Sequence, residues 1–129
     1  MIDVVALGEL LIDFAAKSED SAGYPTMAAN PGGAPGNFLA ALNACGKKTA
    51  FIGKVGADTF GRLLLKTLKS SGIETVGIVE DPDVFTTLAF VTFDENGDRS
   101  FSFARKPGAD TQLHWDEVDL HLIDEARVF

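Results

Sequence analysis

The chain has 129 residues, one cysteine and a formal net charge of −8. That is the length of one ordinary domain, and a hydrophobic share of 46% supplies a core and argues against disorder. No apolar run is long enough to cross a bilayer, the lone Cys45 excludes an internal disulfide, and the surplus of acid repels a phosphate backbone, so neither a membrane nor a nucleic acid is an expected partner.

The first residues, "MIDVVALGELLIDF", have no basic n-region, and acids interrupt the apolar stretch, so they do not read as a signal peptide. With a single cysteine, the expected location is cytoplasmic. Residues 4–11, "VVALGELL", form a continuous apolar run that suits one strand buried on both faces; Glu9 and Asp13 lie at its far end. Residues 15–30 turn polar and irregular, either a loop or a pair of weak strands. A helix is expected over 35–44, closed by Gly46. Cys45 reads as a small buried helix residue. A second buried strand covers 48–56, and a second helix covers 58–72. Asp58 or Thr59 is its N-cap and Gly72 its C-cap; Phe60, Leu64 and Leu68, with Leu63, form its apolar face. A third strand covers 75–81. Strand, helix, strand, helix, strand is the order of an α/β fold with a parallel sheet.

Residues 86–106 differ, with two β-branched and aromatic arms around "DENGDR". Asn96-Gly97 is a hairpin signal; Leu88, Phe90 and Thr92 share one face of the first arm, Phe101 and Phe103 one face of the second. This hairpin reads as an accessory flap. "ARKPG", 104–108, is a local cationic spot in an acidic chain. The stretch that follows is acidic and partly helical, with Trp115 as a packing residue, and "RVF" resembles the start of another buried strand. His114 and His121 stand seven apart among acids, with no further residues at metal-ligand spacing, so no metal site is expected.

Residues 31–37, "PGGAPGN", set three glycines and two prolines directly before a helix. The stretch could cradle a phosphate at a helix N-terminus, though it matches neither G-x-G-x-x-G nor G-x-x-x-x-G-K-[ST]. It could be a plain turn. Or it could bring bare backbone close to an uncharged polar ligand, with Asn37 adding a donor and an acceptor. Asp13 has two readings of its own: a capping or solvated acid, or a ligand-binding acid at a strand C-terminus. Arg105 is either a solvated charge beside Lys106 or a binding cation.

Taken together, Gly32-Gly33, Pro35, Asn37, Gly46 and Gly56 resemble the N-terminal pattern of the ribokinase-like carbohydrate kinases, the PfkB family. "GELLIDF", "GKVGADTFGRLLLKTLKSSGI" and "FSFARKPGAD" are similar to further segments of that family, nearest its fructokinase branch. The departures from the pattern are Leu39, where a small residue is usual, and Gly36, where alanine is common.

The resemblance implies an α/β fold with a mainly parallel central sheet, helices on both faces and a small β-sheet lid, of which residues 1–129 would be the N-terminal, sugar-binding half. The lid segments would lie near 14–30 and 85–106. Asp13, Gly32, Gly33 and Asn37 would line the domain side of a sugar site, with Phe90, Phe103 and Arg105 reaching in from the lid. Two lids clasping would form a homodimer. The implied reaction moves the γ-phosphoryl group of ATP, with Mg²⁺, to a primary hydroxyl of fructose. The family's catalytic aspartate sits in a "GAGD"-type motif, and no such motif occurs in 1–129. The expectation is therefore a chain that binds neither ATP nor Mg²⁺ alone, lacks a catalytic base and turns over no substrate. The alternatives are a 2-keto-3-deoxygluconate kinase or ribokinase fragment, or a non-catalytic sugar-binding or dimerising module. An unrelated dinucleotide-binding protein is disfavoured, since no G-x-G-x-x-G follows Leu7-Gly8.

Overall fold

In the computed structural model, which describes residues 1–93 and 96–129, the chain forms β1 (Ile2–Leu7), β2 (Leu11–Glu19), β3 (Pro25–Gly32), α1 (Ala34–Ala44), β4 (Thr49–Gly56), α2 (Thr59–Ser70), β5 (Glu74–Asp81), β6 (Leu88–Phe93), β7 (Arg99–Ala104), α3 (Leu120–Asp124) and β8 (Ala126–Val128). Two short 3-10 turns, Ala109–Thr111 and Trp115–Glu117, precede α3.

The apolar run at 4–11 is divided between two sheets, which corrects the expectation of one strand. The chain leaves β1 at Gly8, where a Cβ would lie 2.7 Å from Pro35 Cγ. Buried residues flank the crossing on both sides, Val5 before it and Leu10, Leu11 and Ile12 after it, while the apolar Leu7 within it is exposed, so the run reads as unbroken in hydropathy.

The first sheet has the order β5-β4-β1-β8 and is parallel throughout. Every residue of β4 is buried, as a central parallel strand requires. Leu39 of α1 and Leu64 and Leu68 of α2 pack with Phe51 and Val55 on one face. On the other, Leu122 of α3 packs with Val5, Ala50 and Ile52. Lys54 joins that second face with its side chain buried; its Nζ donates to Gln112 O (3.0 Å) and Glu117 Oε1 (2.7 Å) and pairs with Asp81 Oδ2 (3.1 Å). The helices thus lie on both faces of the sheet.

The second sheet has the order β3-β2-β6-β7, antiparallel at its two outer pairs and parallel at the central one. The polar stretch at 15–30 is hairpin rather than loop, and 86–106 is the second hairpin. Of its expected turn, Asp94 and Glu95 lie outside the described residues, and Gly97 has φ +83°. Asp58 caps α2 as expected, accepting from the N–H groups of Phe60 and Gly61 at 2.9 Å each. It also accepts from Thr86 N–H (2.8 Å) and Thr86 Oγ1–H (3.0 Å), which ties the start of the second sheet to the first.

Three smaller expectations are corrected. Cys45 is exposed, because it is the C-cap of α1 and its side chain leaves the apolar face. Trp115 projects from a 3-10 turn and is 75% exposed. "RVF" does enter a strand, with Ile2 opposite Ala126 and Val4 opposite Val128, but at the sheet edge, so Val128 and Phe129 are exposed.

Candidate functional site

Strand register places the candidate residues. Partners across a ladder share a face. Asn30, Asp13, Ala89 and Phe103 are consecutive partners across β3, β2, β6 and β7, so they form one row on one face of the second sheet. Asp13 and Phe103 stand two strands apart, about 10 Å, with only the small Ala89 between them. Phe90 is not in this row. It partners Phe14 on the opposite face, where the two rings stack at 5.3 Å and Phe14 meets Phe60 of α2 edge-on. The expectation that Phe90 reaches toward a ligand beside Phe103 is therefore corrected: alternation along β6 puts it into the packing between sheet and helix.

Asp13 is half-buried, and its carboxylate packs against the backbone of Gly32, where a Cβ would lie 2.2 Å from Oδ2. Among the described residues no donor reaches that carboxylate. The neighbouring Asn30 amide donates instead to the main-chain oxygens of Asp13 (3.4 Å) and Ala28 (3.2 Å). Desolvation, and then the charge of Glu9, push the Asp13 carboxyl above its ordinary value.

Gly33 precedes α1 with φ +111°, and a Cβ there would lie 2.4 Å from Glu9 O, so only glycine fits both the conformation and the approach. Gly32 and Gly33 thus bring main chain against Asp13 and Glu9. Asn37 follows in the first turn of α1, exposed, and its carboxamide has no hydrogen bond to the described residues.

Arg105 lies just after β7. Its Nη2 donates to Glu9 Oε2 (2.8 Å) and to Asp110 Oδ2, its Nε reaches Asp110 Oδ1 at 3.4 Å, and its guanidinium carbon stands 5.9 Å from the Phe103 ring centre. The Asp110 carboxylate is fully buried and also accepts from Thr87 Oγ1, while Ala109 N–H donates to Phe85 O (2.9 Å). The guanidinium is therefore fixed from beneath by a buried acid. Glu9 was noted from sequence only as an acid at the end of an apolar run, and Thr87 and Asp110 were not singled out; one arginine close to several acids is a signal that appears only once the chain is folded. Neither earlier reading of Arg105 describes it fully, since it is neither loose in solvent nor free to grip a ligand with all its donors.

A hollow of about 480 Å³ opens beside this cluster, lined in part by Gly8, Glu9, Asp110, His114 and Trp115. Two hollows of about 580 Å³ lie elsewhere, one along α2 and one near Met1, so size does not locate the site. The unpaired Asp13 carboxylate and the bare backbone at Gly32-Gly33 are the features of the candidate site that stand apart from these hollows.

Known proteins share this sequence and this fold. The family model for the pfkB family carbohydrate kinase matches residues 1–129. A fructokinase of Solanum tuberosum is 44% identical over 128 residues, and fructokinase-1 of Zea mays 43%; each match covers 98% of this chain and 40% of the relative. The crystal structure of a fructokinase from Xylella fastidiosa superposes with a TM-score of 0.90 at 34% identity, covering 96% of this chain and 38% of that one. A putative ribokinase II from E. coli superposes at 0.87 and 30% identity, covering 98% and 42%. The chain spans about 40% of the length of the curated relatives it matches. No helix among the described residues is long and apolar enough to cross a membrane. Matched over its whole length by the family model, the chain belongs to the pfkB family of carbohydrate kinases.

Proposed function

We propose that this chain is the sugar-recognition part of a fructokinase-like enzyme, one that transfers the γ-phosphoryl group of ATP to a primary hydroxyl of fructose. The observation that carries the proposal is the Asp13 carboxylate: half-buried, raised in pKa by desolvation, and without a protein donor among the described residues. A carboxylate left in that state is prepared to accept hydrogen bonds from ligand hydroxyls. Gly32 and Gly33 let main chain approach the sugar, Asn37 adds a carboxamide, and Phe103 with Arg105 closes the far side. Phe90 takes no part in this reading. The curated relatives bear the name fructokinase, which favours fructose over ribose.

ATP and Mg²⁺ belong to the reading of the complete enzyme. One related structure is a fructokinase with bound ATP, and another a putative ribokinase II with ATP and Mg²⁺. Among the described residues no group of three or more His, Cys, Asp or Glu is placed to hold a metal ion, and the chain has no "GAGD" motif. We assign the nucleotide, its metal and the base that takes the hydroxyl proton to the part of the relatives' length that this chain does not span. What this chain contributes is binding and orientation of the acceptor hydroxyl. Mixing 1–129 with fructose, ATP and Mg²⁺ should give no fructose phosphate; turnover would overturn that assignment.

Phe93, Phe101 and Phe103 are each about half exposed on the Asp13 face of the second sheet, and a second copy of the chain packing there is the homodimer we propose. Sedimentation of wild type and Phe101→Asp tests it, with dissociation expected for the variant.

The sugar assignment is tested by calorimetry with fructose on wild type and Asp13→Ala. Loss of charge-assisted bonds to hydroxyls should weaken binding on the order of 10- to 100-fold. Equal affinity in the two proteins would refute the assignment.

A further inference from the structure

The charge around Arg105 says more about the ligand than the cation alone would. An arginine offers a ligand carboxylate two bidentate edges, Nε with Nη2 and Nη1 with Nη2, and both pass through Nη2. Here Asp110 takes the first edge, with Nη2 and Nε directed at its two oxygens. Glu9 takes Nη2 as well, at 2.8 Å, on the open side of the guanidinium. Neither edge is left whole. The two acids differ in access: the Asp110 side chain is fully buried, whereas that of Glu9 is 42% exposed. Glu9 is thus the partner that an incoming anion would have to displace. Glu9, Asp13 and Asp110 set three carboxylates against one guanidinium, and Asp13 already feels Glu9 as a repelling charge. A ligand carboxylate would meet a surplus of negative charge and a cation already in use. A neutral polyol meets acceptors, which is what hydroxyl groups require.

We propose that Glu9 is a specificity-determining residue: by holding Nη2 of Arg105 on its open side, it closes the guanidinium to carboxylate-bearing sugars and restricts the site to uncharged ones. This rests on the sugar-site reading above, and it goes beyond it by assigning the exclusion of acid sugars to one side chain. Exclusion of this kind works by like-charge repulsion and by an occupied donor rather than by a better fit for the favoured ligand.

The test uses the chain itself, as wild type, Glu9→Gln and Glu9→Ala, titrated calorimetrically with fructose and with 2-keto-3-deoxygluconate. Glu9→Gln keeps the side-chain volume, so it carries the comparison if Glu9→Ala fails to fold. Wild type should bind fructose and not the acid sugar, and Glu9→Gln should move the ratio of the two affinities toward the acid sugar on the order of tenfold or more, since a charge-assisted pair becomes available. If wild type binds fructose but the ratio in the variants is unchanged from wild type, or if wild type already binds the acid sugar as well as fructose, the role of Glu9 is refuted while the sugar site stands. If wild type binds neither sugar, the sugar-site reading is refuted, and the role of Glu9 with it.

Discussion

Asp58→Ala removes the side chain that joins the two sheets, and its cost can be worked from the bonds it makes. Two of them satisfy N–H groups at the start of α2, and loss of such an N-cap costs about 1 kcal/mol. The other two come from the main chain and hydroxyl of Thr86, at 2.8 and 3.0 Å, and each contributes about 1 kcal/mol net at a half-buried carboxylate. The sum is about 3 kcal/mol, or a fall in melting temperature of roughly 10 °C for a domain of this size. Asp58→Asn keeps an equally good cap and should lose only about a third as much. Thermal and urea unfolding of wild type, the two variants, Thr86→Val and the double variant Asp58→Ala/Thr86→Val give the cycle that isolates the bond from the Thr86 hydroxyl, since valine keeps the main-chain N–H. The expected coupling between Asp58 and Thr86 is about 1 kcal/mol or more. An Asp58→Ala cost below about 0.5 kcal/mol would show that this carboxylate does not hold the second sheet to the first, and additive losses would show that the Thr86 hydroxyl bond contributes nothing to that link.

Lys54→Met should flatten the acid limb of stability. Burial pushes the Lys54 ammonium down, but its bonds to Glu117 and Asp81 outweigh this and hold it above its ordinary value. Glu117 and Asp81 are held below theirs, first by backbone N–H groups of His114 and Asp83 and then by Lys54. Stability from depressed carboxylates is present above their unfolded values, 4.5 and 3.8, and is lost as pH falls through the folded ones, so the difference between wild type and Lys54→Met should shrink below about pH 4 in pH-dependent urea unfolding. Asp13→Asn should act in the opposite sense. A raised carboxyl favours the fold when protonated and loses that contribution as pH rises through the folded value, so the variant should melt higher than wild type at pH 7, an advantage that disappears below pH 3.8. Gly33→Ala should cost at least 1–2 kcal/mol in unfolding experiments, because φ +111° and the nearby Glu9 carbonyl both exclude a Cβ.

Local features were legible in the sequence and long-range ones were not. The Asp58 cap, the glycines at helix ends and the parallel βα order follow from neighbours a few residues apart. Period-2 alternation correctly grouped Phe101 with Phe103, whose rings stack at 6.3 Å. It could not say that Phe90 and Phe103 face opposite ways, because that depends on which strands pair and in which register. The strand break at Gly8 was hidden because one core begins where the other ends. Most of the candidate site is of this non-local kind. Glu9 and Arg105 are separated by 96 positions, and nothing in their own surroundings shows that they meet. The Gly32-Gly33 pair was conspicuous, but its contact with Asp13 comes from the Leu11–Gly32 pairing of a hairpin that composition barely marks.

The claim that the polar row on the second sheet grips a sugar is tested most directly by a crystal structure of the protein soaked with fructose. The account predicts sugar hydroxyls at hydrogen-bond distance, roughly 2.6–3.2 Å, from the Asp13 carboxylate, with the ring lying against the main chain of Gly32 and Gly33. Fructose bound at another surface, with Asp13 still unpartnered, would contradict it.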